Sequence, residues 1–293
     1  MTIMRAARPI VVAALFLGLA ACAERGGTAG PVATGTPPST PSATPSSQPA
    51  ASAGLVLRVE HTGGFVPPPV LRSRLPIVSV YADGRVITEG PVIAIYPAPA
   101  LPNLQVREIG EDGVQDLVDR ALAAGVAETA DLGSPPIADA PTTRFTVVTA
   151  AETYVRDAYA LWESAGGNGL TGEQEKARQR LSDLLTSLTD SEAGTEPYQP
   201  EAVAAVVSPW VDPGDGLVQP EASWPGPALP GEPTGGPPDV TCVTATGDGA
   251  RTLLEAARSA NGATPWTTGD GLRWSVTFRP LLPDETGCAD LTD

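Results

Sequence analysis

The sequence predicts an α+β fold in which two amphipathic helices cover a mostly antiparallel sheet. A small, disulfide-closed β-α-β unit is expected to follow at the C-terminus. Three observations predict this class: β-prone runs joined by short turns such as Asp83-Gly84, apolar residues at helical spacing in two stretches, and Cys242 and Cys288 bracketing the last segment. An Asp-Gly pair between β-prone runs is a strong hairpin signal, because the turn requires positive φ.

The strands of the first part are predicted from runs rich in β-branched and aromatic residues. The predicted strands cover residues 55–62, 77–81, 85–88, 92–96, 104–109, 144–149 and 153–160. Two pairs of neighbouring runs are close enough in sequence to form hairpins. The pattern therefore favours antiparallel pairing.

Two helices are predicted from apolar residues at positions i, i+3, i+4 and i+7. The first carries its stripe from Val114 to Leu122 and ends at Gly125. The second begins at Thr171, where Gln174 three residues later completes a capping box. Each helix has one apolar face, so we expect both to pack on the sheet.

Residues 54–190 are therefore expected to form one α+β domain, and residues 191–239 a proline-rich connector. Trp210 and Trp224 lie in that connector, either as side chains that fix it to the body or within a mobile hinge. Residues 240–293 are predicted to form strand, helix and strand. The helix should run from Asp248 to about Ala260.

The N-terminus has the three zones of an export signal, predicted as residues 1–21. Arg5 and Arg8 give a positive start, and residues 10–21 form an uncharged apolar run. That run is shorter than the roughly 20 residues that span a bilayer. Small residues and a cysteine follow it.

The tetrapeptide Leu19-Ala20-Ala21-Cys22 resembles the lipobox of bacterial lipoproteins. The resemblance implies that the Cys22 sulfur carries a diacylglyceryl group and that the chain is cut just before it. It also implies residence on the outer face of the plasma membrane, held by membrane lipid. The alternative interpretation is an ordinary cleaved signal peptide with an incidental cysteine.

Residues 22–53 are predicted to be a disordered tether, because they combine proline with serine, threonine and alanine. As a coil this segment would span roughly 30 Å. A tether of that reach would hold a folded body clear of the lipid headgroups.

The charge balance excludes some partners. The chain has 34 acidic and 18 basic residues, and removal of residues 1–21 removes two arginines and no acid. An acidic surface of this kind repels nucleic acid and anionic headgroups. Arginine greatly outnumbers lysine, and this composition resembles that of high-GC actinobacterial genomes.

The three cysteines separate into one lipidation site and one pair. With Cys22 acylated, Cys242 and Cys288 are expected to form a disulfide in an exported, oxidising setting. The rival interpretation is two free thiols or metal ligands. It lacks partners, since the only histidine, His61, is distant in sequence.

No catalytic pattern is recognisable. We therefore predict no catalytic residue, no metal ligand and no cofactor. Nucleophilic hydrolysis requires a base beside the nucleophile, and no Gly-x-Ser-x-Gly elbow occurs. No His-Glu-x-x-His or Cys-x-x-Cys pattern is present. A pair of carboxylates acting in hydrolysis stays open, because spatial pairing is invisible in one sequence.

Two segments are candidate binding surfaces. One consists of His61 and Gly63-Gly64-Phe65, and a helix and paired strands are predicted after it. In this arrangement, residues 55–190 resemble the emfourin-type inhibitors of metalloproteases. The chain departs from that pattern by an extra hairpin and three consecutive prolines after Phe65. The other holds Trp266 and Trp274, which form either a recognition patch or the core of the C-terminal unit.

The whole body is similar to uncharacterised secreted actinobacterial lipoproteins, a resemblance that implies no activity. The hypothesis favoured by the sequence is a membrane-anchored surface lipoprotein that binds an envelope partner without catalysis. An emfourin-like inhibitor of a secreted protease is the alternative. A carboxylate-dependent hydrolase comes third.

Overall fold

The computed structural model describes residues 54–164, 169–190 and 194–291. The predicted signal segment, Cys22 and the whole of the predicted tether lie outside this part of the chain. Two sheets with mostly antiparallel pairing and four helices make up the described body, so the predicted α+β class is confirmed. None of the described helices is both long and apolar enough to cross a bilayer.

The first sheet has the strand order β6-β5-β1-β2-β3-β4-β7, and its neighbours pair antiparallel. Its strands are β1 (Leu55–Thr62), β2 (Val78–Tyr81), β3 (Arg85–Glu89), β4 (Leu104–Glu108), β5 (Thr142–Val148), β6 (Thr153–Tyr159) and β7 (Glu196–Pro197). The predicted Asp83-Gly84 hairpin joins β2 to β3. Gly84 has φ +93°, a conformation that glycine adopts without strain.

The strand predicted at residues 92–96 is absent from the structure. This stretch lies in an exposed loop between β3 and β4, with Val92, Ile93 and Ile95 turned to solvent. Pro91 and Pro97 flank the run and lack the N–H group that a sheet ladder requires. An apolar run between two prolines is therefore weak evidence for a strand.

The helices are α1 (Pro68–Ser73), α2 (Gly110–Ala123), α3 (Gly172–Thr189) and α4 (Gly247–Arg258). Helices α2 and α3 are the two predicted from spacing, and both bury their apolar stripe against the first sheet. Leu117 and Leu185 are among the buried contacts, each contributing about 1.5–3 kcal/mol. The Thr171 side chain accepts from the Gln174 backbone N–H, so the predicted capping box is present.

The second sheet has the order β10-β11-β8-β13-β12-β9. Its strands are β8 (Ala202–Pro209), β9 (Ala222–Ser223), β10 (Glu232–Pro233), β11 (Thr241–Thr246), β12 (Trp266–Thr267) and β13 (Arg273–Pro280). Helix α4 packs Leu253 on one face of this sheet. The predicted C-terminal strand, helix and strand are present as β11, α4 and β13.

Strand β8 lies between β11 and β13, and the sequence reading missed it. It falls within the segment predicted as a proline-rich connector. Five consecutive residues from Val203 to Val207 are buried, because both faces of the strand are covered. A strand buried on both faces shows a continuous apolar run instead of alternation, which is the weaker signal.

Cys242 in β11 is bonded to Cys288, with the Cα atoms 5.9 Å apart. The predicted disulfide is therefore confirmed. Cys288 begins a short 3-10 turn (Cys288–Asp290) near the end of the described chain. The bond fixes the residues after β13 to the second sheet.

The stretch 281–291, here called the C-terminal segment, contacts both sheets. Leu281 packs with residues of β8 and β11, whereas Leu282 packs with Tyr81 of the first sheet. Tyr81 also donates from its hydroxyl to Asp284 at 2.7 Å. The C-terminal segment therefore joins the two sheets.

Candidate functional site

His61 and the glycine turn after it lie at the C-terminal end of β1. The His61 ring is half-buried, and its Nδ1 is 3.5 Å from the Thr143 hydroxyl. Burial is the main cause that lowers the pKa of His61, and the nearby Arg74 guanidinium lowers it further. At neutral pH the imidazole is therefore uncharged.

Gly63 and Gly64 both have positive φ, at +60° and +84°. The turn is held by Arg74, which donates to the carbonyls of His61 and Gly63 at 3.2 and 2.9 Å. It turns the chain so that Phe65 projects into solvent with 86% of its surface exposed. The Phe65 backbone N–H is nevertheless fixed, since it donates to Asp139.

Two long loops carry most of the exposed apolar surface. We call residues 90–103 and 210–219 the distal loops. Twelve large apolar side chains are exposed in the described part of the chain, and seven of them belong to these loops: Val92, Ile93, Ile95, Tyr96, Val211, Leu217 and Val218. Val218 is the extreme case, at 95% exposure. Concentrated apolar exposure on a folded body typically marks an interaction surface.

The distal loops are joined to each other and to the turn after α4. The Tyr96 hydroxyl donates to Asp215 at 2.9 Å. This hydrogen bond is the main cause that raises the pKa of Tyr96. At the other end of the first loop, the backbones of Pro99 and Asn261 form an isolated bridge. Both loops are therefore held in place by hydrogen bonds.

The first distal loop also borders a groove with a volume of about 1140 Å³. Its lining includes Pro91 and Ile93 of the first distal loop, together with His61 and Val70. Its lining is more apolar than polar. The predicted residue His61 and the first distal loop thus line one groove on the surface.

The position of the distal loops follows from the strand directions. β1 begins at Leu55 and runs toward the glycine turn. β3 runs parallel to β1 in space and ends at Glu89, where the first loop begins. Eight residues of strand cover about 26 Å. The first distal loop therefore lies at the end of the first sheet opposite to Leu55, and the hydrogen bond from Tyr96 to Asp215 holds the second loop beside it.

The candidate surface at Trp266 is corrected by the structure. Trp266 is 1% exposed and contacts Trp224 and Phe278 at ring-centroid distances of 5.7 and 5.5 Å. It is a core residue of the second sheet and cannot present its ring to a partner. Trp274 pairs with Trp266 across β12 and β13, and it is half-buried. The interpretation of these tryptophans as core residues holds for Trp266.

A second, smaller cavity of about 160 Å³ lies between β1, α1 and the C-terminal segment. We call it the arginine cavity, after Arg58, Arg72, Arg74, Arg144 and Arg279 in its lining. No sequence pattern marked these residues, because they come from distant parts of the chain. A cluster of basic residues in a strongly acidic chain is detectable only once the fold is known.

Three carboxylates also line the arginine cavity: Glu60, Glu285 and Asp290. Glu285 accepts from Arg279, and Asp290 accepts from the backbone N–H groups of Thr286 and Gly287. Both are held by structural hydrogen bonds. Burial raises the pKa of Glu60, although Arg58 and Arg144 act against it.

Comparison of the chain with models of protein families, with curated proteins and with solved structures finds no match. Among the described residues there is no group of three or more metal-binding side chains.

Proposed function

We propose that this chain is a lipid-anchored protein of the outer face of the plasma membrane, and that it binds a protein of the cell envelope through the distal loops. The observation that carries the proposal is the concentration of exposed apolar side chains on two loops that are joined by a hydrogen bond. Burying apolar surface is the main favourable contribution to association between proteins. The site supplies binding surface and needs no reacting group.

A protein partner fits this surface better than the bilayer does. Asp212 and Asp215 lie among the apolar residues of the second loop, and anionic headgroups repel carboxylates. The loops also lie at the end of β1 away from the tether, which is expected to begin at acylated Cys22. A body attached at one end presents the other end to the layers beyond the membrane.

The lipid anchor is tested by the variant Cys22→Ser. We expect the wild-type chain to incorporate a labelled fatty acid and to fractionate with membranes. The variant should incorporate no label and should be released or remain unprocessed. A Cys22→Ser chain that stays membrane-bound and labelled would contradict the anchor.

The binding surface is tested by crosslinking in intact cells. Ile93→Asp and Val218→Asp place a charge on each distal loop, whereas Val155→Asp places one on an exposed apolar position of β6, away from the loops. We expect the two loop variants to lose a crosslinked protein that the wild type and Val155→Asp retain, with unchanged melting temperatures. Retention of that protein by all three variants would contradict the assignment of the surface.

A second candidate function is inhibition of a metalloprotease of the thermolysin type, as the emfourin resemblance implies. The observation that favours it is Phe65, which projects from a turn whose backbone is fixed. A side chain carried on a fixed backbone loses less conformational entropy on binding than one carried on a mobile loop. If this function is correct, the chain should inhibit such a protease at a one-to-one ratio, and Phe65→Ala should abolish the inhibition without lowering stability.

A further inference from the structure

The arginine cavity is lined by guanidinium groups that differ in what they bind. Arg58 donates to Asp284 at 2.9 Å, and Arg279 donates to Glu285 at 2.7 Å. Arg144 forms two hydrogen bonds with Asp157. These three arginines already have carboxylate partners.

Arg72 and Arg74 differ from them. Within the described part of the chain, neither has a carboxylate within 4.0 Å, and both are half-buried. Arg72 donates to the carbonyl of Leu291 at 3.3 Å, and Arg74 donates to two carbonyls of the glycine turn. Carbonyl oxygens use part of the five donors of a guanidinium and leave its charge uncompensated.

Arg156 and Arg178 also bond to carbonyl groups and have no carboxylate within 4.0 Å in the described part of the chain. Arg72 and Arg74 differ from these two because both line the same cavity. A guanidinium that is partly withdrawn from water and faces a cavity can still bind an anion that enters the cavity. Two arginines that line one polar cavity, neither with a carboxylate within 4.0 Å, offer a place for an anion from outside the chain. Arginine is the residue best suited to this role, because its planar donors match an oxyanion in two places.

We propose that the arginine cavity binds a small oxyanion, of the phosphate or carboxylate class, between Arg72 and Arg74. The cavity volume of about 160 Å³ holds several water molecules and is smaller than the 300–1,000 Å³ typical of drug-sized ligands. The ligand is therefore a small ion, or one anionic group of a larger molecule.

Glu60 lines the same cavity and opposes an anion when it is charged. Its carboxylate has no hydrogen-bond partner among the residues described, whereas Glu285 and Asp290 are held by theirs. Arg72 and Arg74 have no carboxylate partner, and their two positive charges exceed the single negative charge of Glu60. Removing the Glu60 charge should then strengthen binding, while all of the arginines stay in place.

The test is calorimetric titration of the full chain, purified in detergent, with inorganic phosphate and separately with succinate. The variants are Arg72→Gln, Glu60→Gln and, as a control, Arg258→Gln, which removes an exposed arginine from α4. We expect Arg72→Gln to weaken binding about tenfold or more, because a hydrogen bond to a charged group is lost. Glu60→Gln should bind more tightly than the wild type, and Arg258→Gln should match it.

Phosphate also stabilises folded proteins without a site, by exclusion from their surface. The control distinguishes this effect, because exclusion would act on all four chains alike. Equal responses of the wild type and Arg72→Gln, or no binding of either anion, would overturn the proposal. The anion that binds more tightly identifies the chemical class.

A second readout covers the case in which Arg72→Gln folds poorly. The phosphorus resonance of added phosphate should broaden in the presence of the wild type and shift further with Glu60→Gln. That comparison needs no arginine substitution. A Glu60→Gln chain that binds phosphate no more tightly than the wild type would contradict the assigned site.

Discussion

The hydroxyl of Tyr81 donates a 2.7 Å hydrogen bond to Asp284, and this contact crosses from the first sheet to the C-terminal segment. Arg58 of β1 donates to the same carboxylate oxygen at 2.9 Å. Tyr81 is fully buried, and burial, followed by the negative charge of Asp284, raises its pKa. The phenol therefore stays protonated and acts as a donor at any physiological pH.

We predict that Tyr81→Phe destabilises the body by about 1.5 kcal/mol, since a hydrogen bond to a charged acceptor is lost. Asp284→Asn should also destabilise, because it weakens the contact with Arg58 as well. The two changes should be less than additive in a double-mutant cycle. Urea denaturation measures the free energies, and strictly additive effects would show that the two residues do not interact.

Arg279 and Glu285 form the most deeply buried ion pair among the described residues, with 3% and 6% of their side chains exposed. We predict that Arg279→Met destabilises by about 3–5 kcal/mol, because it leaves a carboxylate buried without its cation. The double variant Arg279→Met with Glu285→Gln should lose less, since no charge is then left behind. The comparison is made by urea denaturation; a double variant less stable than the single one would be inconsistent with this reason.

The disulfide should contribute about 4 kcal/mol on the chain-entropy model, because it closes a loop over a sequence separation of 46. For a body of this size, that corresponds to a fall of roughly 8–16 °C in melting temperature when the bond is removed. The double variant Cys242→Ser with Cys288→Ser should show this fall in calorimetry. Adding reductant should lower the melting temperature of the wild type and leave that of the variant unchanged.

His61 is the only histidine, and its pKa is lowered in the folded state by burial and by Arg74. In the unfolded chain its pKa is about 6.5. The unfolded state therefore binds more protons just below that pH, and acidification favours unfolding. The contribution of His61 to stability is fully present above pH 6.5 and is lost as the pH falls toward its folded-state value.

The measurement compares the wild type with His61→Gln across pH 5 to 8. The wild type should lose stability relative to the variant as the pH falls below about 6.5. The raised pKa of Glu60 makes stability change with pH in the opposite direction. Glu60 is present in both chains, so its effect cancels when their free energies of unfolding are subtracted. The imidazole resonance reports the pKa directly, and a value above 6.5 in the folded chain would contradict the prediction.

Most of the first sheet and its two covering helices could be predicted from local signals. The Asp83-Gly84 turn and the Thr171 capping box each depend on residues that are neighbours in sequence. β8 is hard to predict because its buried, alanine-rich run lies among prolines, which favour a connector over a strand. Residues 92–96 are the converse case. Their apolar side chains favour a strand, but the prolines on either side prevent its pairing.

The candidate site was predicted only in part. The glycine turn with Phe65 was identified from sequence, and the structure places it at the end of the first sheet nearest to the first distal loop. The distal loops were not identified, because exposure of an apolar residue is a property of the fold. Arg72 and Arg74 were not identified either, since their position beside β1 and the C-terminal segment depends on long-range packing.

The cystine has a consequence for when the body becomes rigid. It fixes the C-terminal segment, which carries Asp284 and Glu285 to Tyr81 and Arg279. In a reducing compartment that segment is held by noncovalent contacts alone, and the seam between the sheets is correspondingly looser. Formation of this one bond should therefore reduce the motion of the C-terminal segment and, through it, of one sheet relative to the other.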